Sequence, residues 1–172
     1  MSDAPEFRCR DAIVLAAPAA ACFAPLADLA TYAHWWTLVR AEALAGGPTL
    51  APGVRFRLSG ARPSGPPVAW VVEVLEVAPP HRIELAYAEG DLLGRAAWEL
   101  APAAGGTDVA YVYRGVRANA ETSRASFARY GTRLHSLAMR EDAPGIRRAG
   151  TNAAPTAAAT SAESAPAANA SR

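Results

Sequence analysis

The chain has 172 residues, 51% of them hydrophobic, and a formal net charge of +1 at pH 7. That length suffices for a substantial core, and a charge so near zero argues against a nucleic-acid partner. All 17 basic residues are arginine, so any single guanidinium is weak testimony to selection for that group. Two cysteines, Cys9 and Cys22, cannot build a disulfide framework and lie in no metal-ligand spacing, so they are expected as core-packing thiols in a cytoplasmic setting, with no metal or cofactor.

Composition divides the chain into residues 1–6, a disordered N-terminus; 7–142, one folded domain; and 143–172, an Ala/Pro/Ser-rich tail expected to be disordered. Arg8 and Arg10 precede an apolar run, but Asp3, Glu6, Asp11 and Pro18 break the pattern of an export signal, so none is expected. The run is also too short and too rich in alanine for stable membrane insertion.

In chain order, Phe7, Cys9, Asp11, Ile13 and Leu15 alternate with Arg8, Arg10, Ala12 and Val14, the period of a strand with one face inward. Pro18 suits the first turn of a helix running to Leu26, with Pro25 a possible kink. Asp28 is the expected N-cap of a second short helix reaching His34. Trp35 and Trp36 follow, read as the corner between helix and sheet, where neighbours in an extended segment point opposite ways and at most one faces inward.

From Leu38 onward, apolar segments alternate with turn residues. Strands are expected over 38–44, 54–58, 68–77, 82–87, 93–100 and 107–114, separated by Gly46-Gly47-Pro48, the Pro-rich stretch 62–67, Pro79-Pro80, Glu89-Gly90-Asp91 and Gly105-Gly106. The inward positions are Val54, Phe56 and Leu58; Trp70, Val72 and Val74; Ile83, Leu85 and Tyr87; Ala96, Trp98 and Leu100; Val109, Tyr111 and Tyr113. Between them stand Arg55, Arg57, Glu73, Arg82, Glu84, Arg95, Glu99 and Arg114, which must face water. A sheet with one apolar face needs a cover. Phe127, Tyr130, Leu134 and Leu137 recur at helical spacing over 120–141, which predicts a C-terminal helix about 30 Å long.

With the opening strand through Ile13-Val14-Leu15, the stretch Cys22-Phe23-Ala24-Pro25-Leu26, Tyr32-Ala33-His34-Trp35-Trp36, the Ala97-Trp98-Glu99-Leu100 strand and Gly105-Gly106-Thr107, the chain resembles the START-like (SRPBCC) superfamily. That superfamily includes the birch-pollen allergen type, lipid-transfer domains and aromatic polyketide cyclases. The resemblance covers roughly 7–141. It implies an α+β helix-grip fold, in which a strongly curved, seven-stranded antiparallel sheet (β-α-α-β6-α) wraps the long C-terminal helix around a cavity. A hydrophobic small molecule is the implied partner, contacted by Trp35, Phe56, Trp70, Leu85, Tyr87, Trp98, Tyr111, Tyr113, Phe127, Tyr130 and Leu134.

Catalytic signals are sparse. Neither a phosphate-binding Gly loop, an HExxH pair nor a GxSxG elbow occurs. Asp11, an inward carboxylate, and His34, an imidazole, are the candidates for proton transfer. Tyr87, Tyr111, Tyr113 and Tyr130 place phenols on apolar faces, where each hydroxyl requires a partner. These features leave three readings: a carrier of a hydrophobic or amphipathic small molecule, a polyketide cyclase or dehydratase acting in the same cavity, and an interaction protein with a filled core.

Overall fold

The computed structural model describes residues 7–61 and 65–115. Strand β1 (Phe7–Leu15) leads into helix α1 (Ala19–Leu26), a 3-10 turn (Leu29–Thr31) and the single-turn helix α2 (Tyr32–Trp35). Six strands follow: β2 (Arg40–Ala45), β3 (Arg55–Gly60), β4 (Val68–Ala78), β5 (Arg82–Gly90), β6 (Gly94–Ala103) and β7 (Gly106–Gly115). They form one curved antiparallel sheet of seven strands, in the order β1-β7-β6-β5-β4-β3-β2. Each consecutive pair from β2 to β7 is a meander step, and β1 returns to lie beside β7, with Asp11 opposite Tyr111 and Leu15 opposite Thr107. The expected C-terminal helix, with Phe127, Tyr130, Leu134 and Leu137, and the two terminal segments lie outside the described residues.

Alternation decides which face becomes core. Along β4, Val68, Trp70, Val72 and Val74 are buried, and along β5 Ile83, Leu85 and Tyr87, just as period two requires. Every inward position read from Val54 to Tyr113 is buried, whereas Cys9 and Asp11, read as inward on the edge strand β1, are only half-buried. Ala97 and Ala110 are buried as well, although they belong to the opposite face. Their methyl groups lie across from the longer Glu84 and Glu99 in the strand register, so neighbouring side chains shield them without any second core.

The convex face is laced with cross-strand ion pairs. Arg82 reaches Glu99 at 2.7 Å and Glu84 at 3.3 Å, Arg95 reaches Glu84 at 3.0 Å, and Arg55 meets Glu89 at 2.6 Å. Burial alone would raise the Glu84 carboxyl, but hydrogen bonds from Arg95 and Arg82 outweigh it and hold the group below its ordinary value.

The helical segment is fastened end to end. Pro18 stands at the N-cap of α1 and Pro25 lies inside its last turn, while Cys22, Phe23 and Leu26 are buried as α1 packs on β6 and β7. Carbonyls at the end of a helix lack partners within it. Here the Thr31 hydroxyl donates to the Pro25 carbonyl at 2.7 Å, and the Tyr32 hydroxyl donates to that of Leu26 at 2.9 Å. Asp28 caps the 3-10 turn by accepting from the Ala30 N–H at 2.9 Å. The Thr107 hydroxyl, buried, donates to the Ala17 carbonyl at 2.8 Å and so ties β7 to the turn after β1.

Candidate functional site

The concave face carries a continuous aromatic floor. Helix α2 presents Tyr32, Trp35 and Trp36, at spacings that put all three on one side of a helix. Trp35 stacks on Trp36 with ring centroids 5.7 Å apart and meets Tyr32 edge-on at 5.0 Å. Trp98 of β6 closes on Trp35 at 5.7 Å and on Tyr111 of β7 at 4.6 Å. The Tyr111 hydroxyl is hydrogen-bonded to that of Tyr87 on β5 at 2.5 Å, and the Tyr87 ring lies edge-on to Tyr113 at 5.3 Å. Tyr113 donates to the Leu93 carbonyl at 2.7 Å.

Both tryptophans of the corner are buried, Trp35 at 0% and Trp36 at 3% exposure. The expectation that at most one would face inward is therefore corrected. It assumed extended backbone, whereas Trp35 ends α2 and Trp36 is its C-cap, where neighbouring side chains lie about a quarter-turn apart and can share a side. The pattern reading also passed over Tyr32 as a site residue. Its spacing to Trp35 and Trp36 was the available signal.

The phenols are partnered within the protein and held neutral. Burial pushes the hydroxyls of Tyr32, Tyr87 and Tyr111 well above the ordinary tyrosine value, the Tyr111 shift being reinforced by Tyr87. Such groups donate and accept hydrogen bonds but do not act as bases near neutral pH. Burial likewise pushes up the thiols of Cys9 and Cys22.

The other predicted contacts take definite places. Phe56 on β3, Trp70 on β4 and Leu85 on β5 are buried on the face that carries the floor. Asp11 is half-buried on β1, and His34 is exposed on α2. Phe127, Tyr130 and Leu134 lie outside the described residues. Among the described residues no group of His, Cys, Asp and Glu is arranged to hold a metal ion, and no helix is long and apolar enough to cross a membrane.

A separate cleft of about 550 Å³ opens between α2 and the β2–β3 pair. Leu29, Ala33, Leu38, Arg40 and Ser59 are among the residues that line it, and none of the residues expected to contact a ligand does.

Comparison with known proteins agrees with this architecture. The Zhui aromatase/cyclase from Streptomyces sp. R1128 superposes with a TM-score of 0.59 at 17% identity, over 73% of this chain and 87% of that one. Protein CV1439 from Chromobacterium violaceum gives 0.58 at 22% identity, over 76% and 96% of the two chains. Ara h 8.0201 gives 0.52 at 11% identity, over 72% and 91%. Identities this low speak to the fold alone, which is the helix-grip fold. No curated protein matches the chain. The family described as polyketide cyclase / dehydrase and lipid transport matches residues 6–140, most of the chain's length, and to that family, within the START-like (SRPBCC) superfamily, the chain belongs.

Proposed function

We propose that the protein binds a hydrophobic or amphipathic small molecule, of lipid, polyketide or aromatic-metabolite type, against the aromatic floor of its concave face. The observation that carries this reading is the unbroken ring chain from Tyr32 through Trp35, Trp98 and Tyr111 to Tyr87 and Tyr113. Aromatic walls with a few placed polar atoms suit a flat or chain-like apolar body that carries one oxygen. The Tyr87–Tyr111 pair supplies such atoms, and Phe56, Trp70 and Leu85 extend the apolar surface across β3, β4 and β5. The ligand-binding domain on this reading is 7–142, with 143–172 outside it.

Carriage is favoured over cyclase or dehydratase chemistry by where the polar groups stand. Removing a proton from a poly-β-ketone needs a base and an acid converging on one point. His34 is exposed on α2, Asp11 is half-buried on β1, and the floor's phenols are held neutral. The likeness to the Zhui aromatase/cyclase keeps the catalytic alternative in view.

Native mass spectrometry of the freshly purified protein, followed by denaturing extraction, tests the proposal. A non-covalent apolar adduct, displaced on adding an aromatic competitor and weakened by Trp98→Ala in a variant that still folds, is the expected result. Absence of any adduct, together with unchanged tryptophan fluorescence across a panel of apolar aromatics, would overturn it and favour the filled-core interaction protein.

A further inference from the structure

We infer that the cleft between α2 and the β2–β3 pair is a second, independent ligand site, built for a small amphipathic anion such as a medium-chain carboxylate, with Arg40 as the counter-charge. Its volume of about 550 Å³ falls in the range of sites that take whole small molecules. The walls mix apolar side chains, among them Leu29, Val39 and the exposed Leu38, with the polar Thr37, Arg40 and Ser59, as an amphipathic molecule requires.

Charge selects the occupant. Among the described residues no Asp or Glu lines the cleft, whereas Arg40 does, with the hydroxyl-bearing Thr37 and Ser59 beside it. Arg40 stands opposite Ser59 in the β2–β3 register. Among the described residues Arg40 makes no ion pair, while Arg55, Arg57, Arg82 and Arg95 are each matched to a carboxylate. A guanidinium in a hollow that pairs apolar side chains with hydroxyls, with no acidic group among its described lining residues, fits a carboxylate head with a short apolar chain.

The site is also distinct from the concave face. The 3-10 turn and helix α2 form the wall between them: Tyr32 and Trp35 turn toward the core, while Ala30 of the turn and Ala33 of α2 line the cleft, and their small side chains leave it open. The 3-10 turn that carries Leu29 and Ala30 is fixed to the loop between β2 and β3 by backbone hydrogen bonds from Leu29 N–H to the Pro48 carbonyl at 2.9 Å and from Leu50 N–H to that of Ala27 at 2.8 Å. The hollow is therefore formed before a ligand arrives.

Titration of the full-length protein with decanoate at neutral pH, followed by assigned amide NMR spectra, tests the inference. Shifts are expected at Ala33, Leu38, Arg40 and Ser59. Arg40→Gln should weaken decanoate at least about fivefold while changing the affinity of neutral decanol by less than about twofold. Ala33→Phe, at an exposed position that tolerates bulk, should abolish both, and Tyr111→Phe should leave the cleft shifts in place. Shifts confined to Trp98, Tyr111 and their neighbours would overturn the second site and leave the proposed carrier function standing. Equal loss of decanoate and decanol on Arg40→Gln would overturn the charge assignment. Binding to anionic phospholipid vesicles without binding of free decanoate would overturn the small-molecule occupant in favour of a bilayer surface.

Discussion

At the scale of single residues, the buried phenols make a prediction with a definite sign. Tyr32, Tyr87 and Tyr111 ionise in the folded protein only well above the ordinary value of 10.0 that they regain on unfolding. Between those values the unfolded chain has lost protons that the native state keeps, so stability is full below about pH 10 and falls as pH rises beyond it. Each such tyrosine contributes a slope of up to about 1.4 kcal/mol per pH unit. The thiols of the buried Cys22 and the half-buried Cys9 add to the slope, so the phenol share is isolated by substitution. Urea unfolding between about pH 8 and about pH 11 should show a shallower decline for Tyr87→Phe than for the natural protein, and equal slopes would remove the phenols from the account. The inward placement of Tyr87, Tyr111 and Tyr113 was legible because alternation in a strand is a matter of counting. The shared burial of Trp35 and Trp36 was not, since it depends on where a single-turn helix ends, and boundaries are set by contacts such as Trp36 N–H to the Tyr32 carbonyl at 2.7 Å.

At the scale of elements, the strand order is held by close backbone approaches as much as by apolar faces. Gly106 opens β7 with φ at +155°, and a Cβ there would run into the Leu15 carbonyl at the end of β1. Gly106→Ala should therefore cost about 1–3 kcal/mol through displaced backbone, read as a lower urea midpoint with an unchanged slope. A destabilisation below a few tenths of a kcal/mol would show that β1 and β7 part easily at this end. Local chemistry made most elements visible in the sequence. Pro18 announces α1, Asp28 announces the turn after it, and Gly105-Gly106 announces the last hairpin. What lay beyond pattern was tertiary: the Thr31 and Tyr32 hydroxyls reaching back to the carbonyls of α1, and the cleft itself, whose residues come from separated segments with no shared periodicity.

At the scale of the whole molecule, the two faces of the sheet contribute unequally to stability. The concave side buries Trp35, Trp98, Tyr32 and Tyr111 almost completely, and large rings of this kind dominate a small domain's core. The convex side has many ion pairs, but their partners are substantially exposed and screened by salt. Glu84→Gln, which removes the carboxylate shared by Arg82 and Arg95, should accordingly change stability by less than about 1 kcal/mol in thermal or urea unfolding. A loss of several kcal/mol would reveal that network as structural. This asymmetry was the part of the molecule most fully readable beforehand, because charged residues at alternate positions leave a strand only one way to face. The family resemblance added the order in which such strands close, which no count of apolar residues supplies.

The edge strand β2 has one further consequence. It pairs only with β3 among the described strands, and its register slips between Ala43 and Ala45, beside the exposed Leu44. An open margin is ordinarily a template onto which another copy can zip, but an irregular backbone step flanked by Arg40 and Glu42 spoils the repeat that such templating requires. The same short kink thus makes this margin of the sheet a poor template for another copy, even though an oily side chain stands on its outer rim.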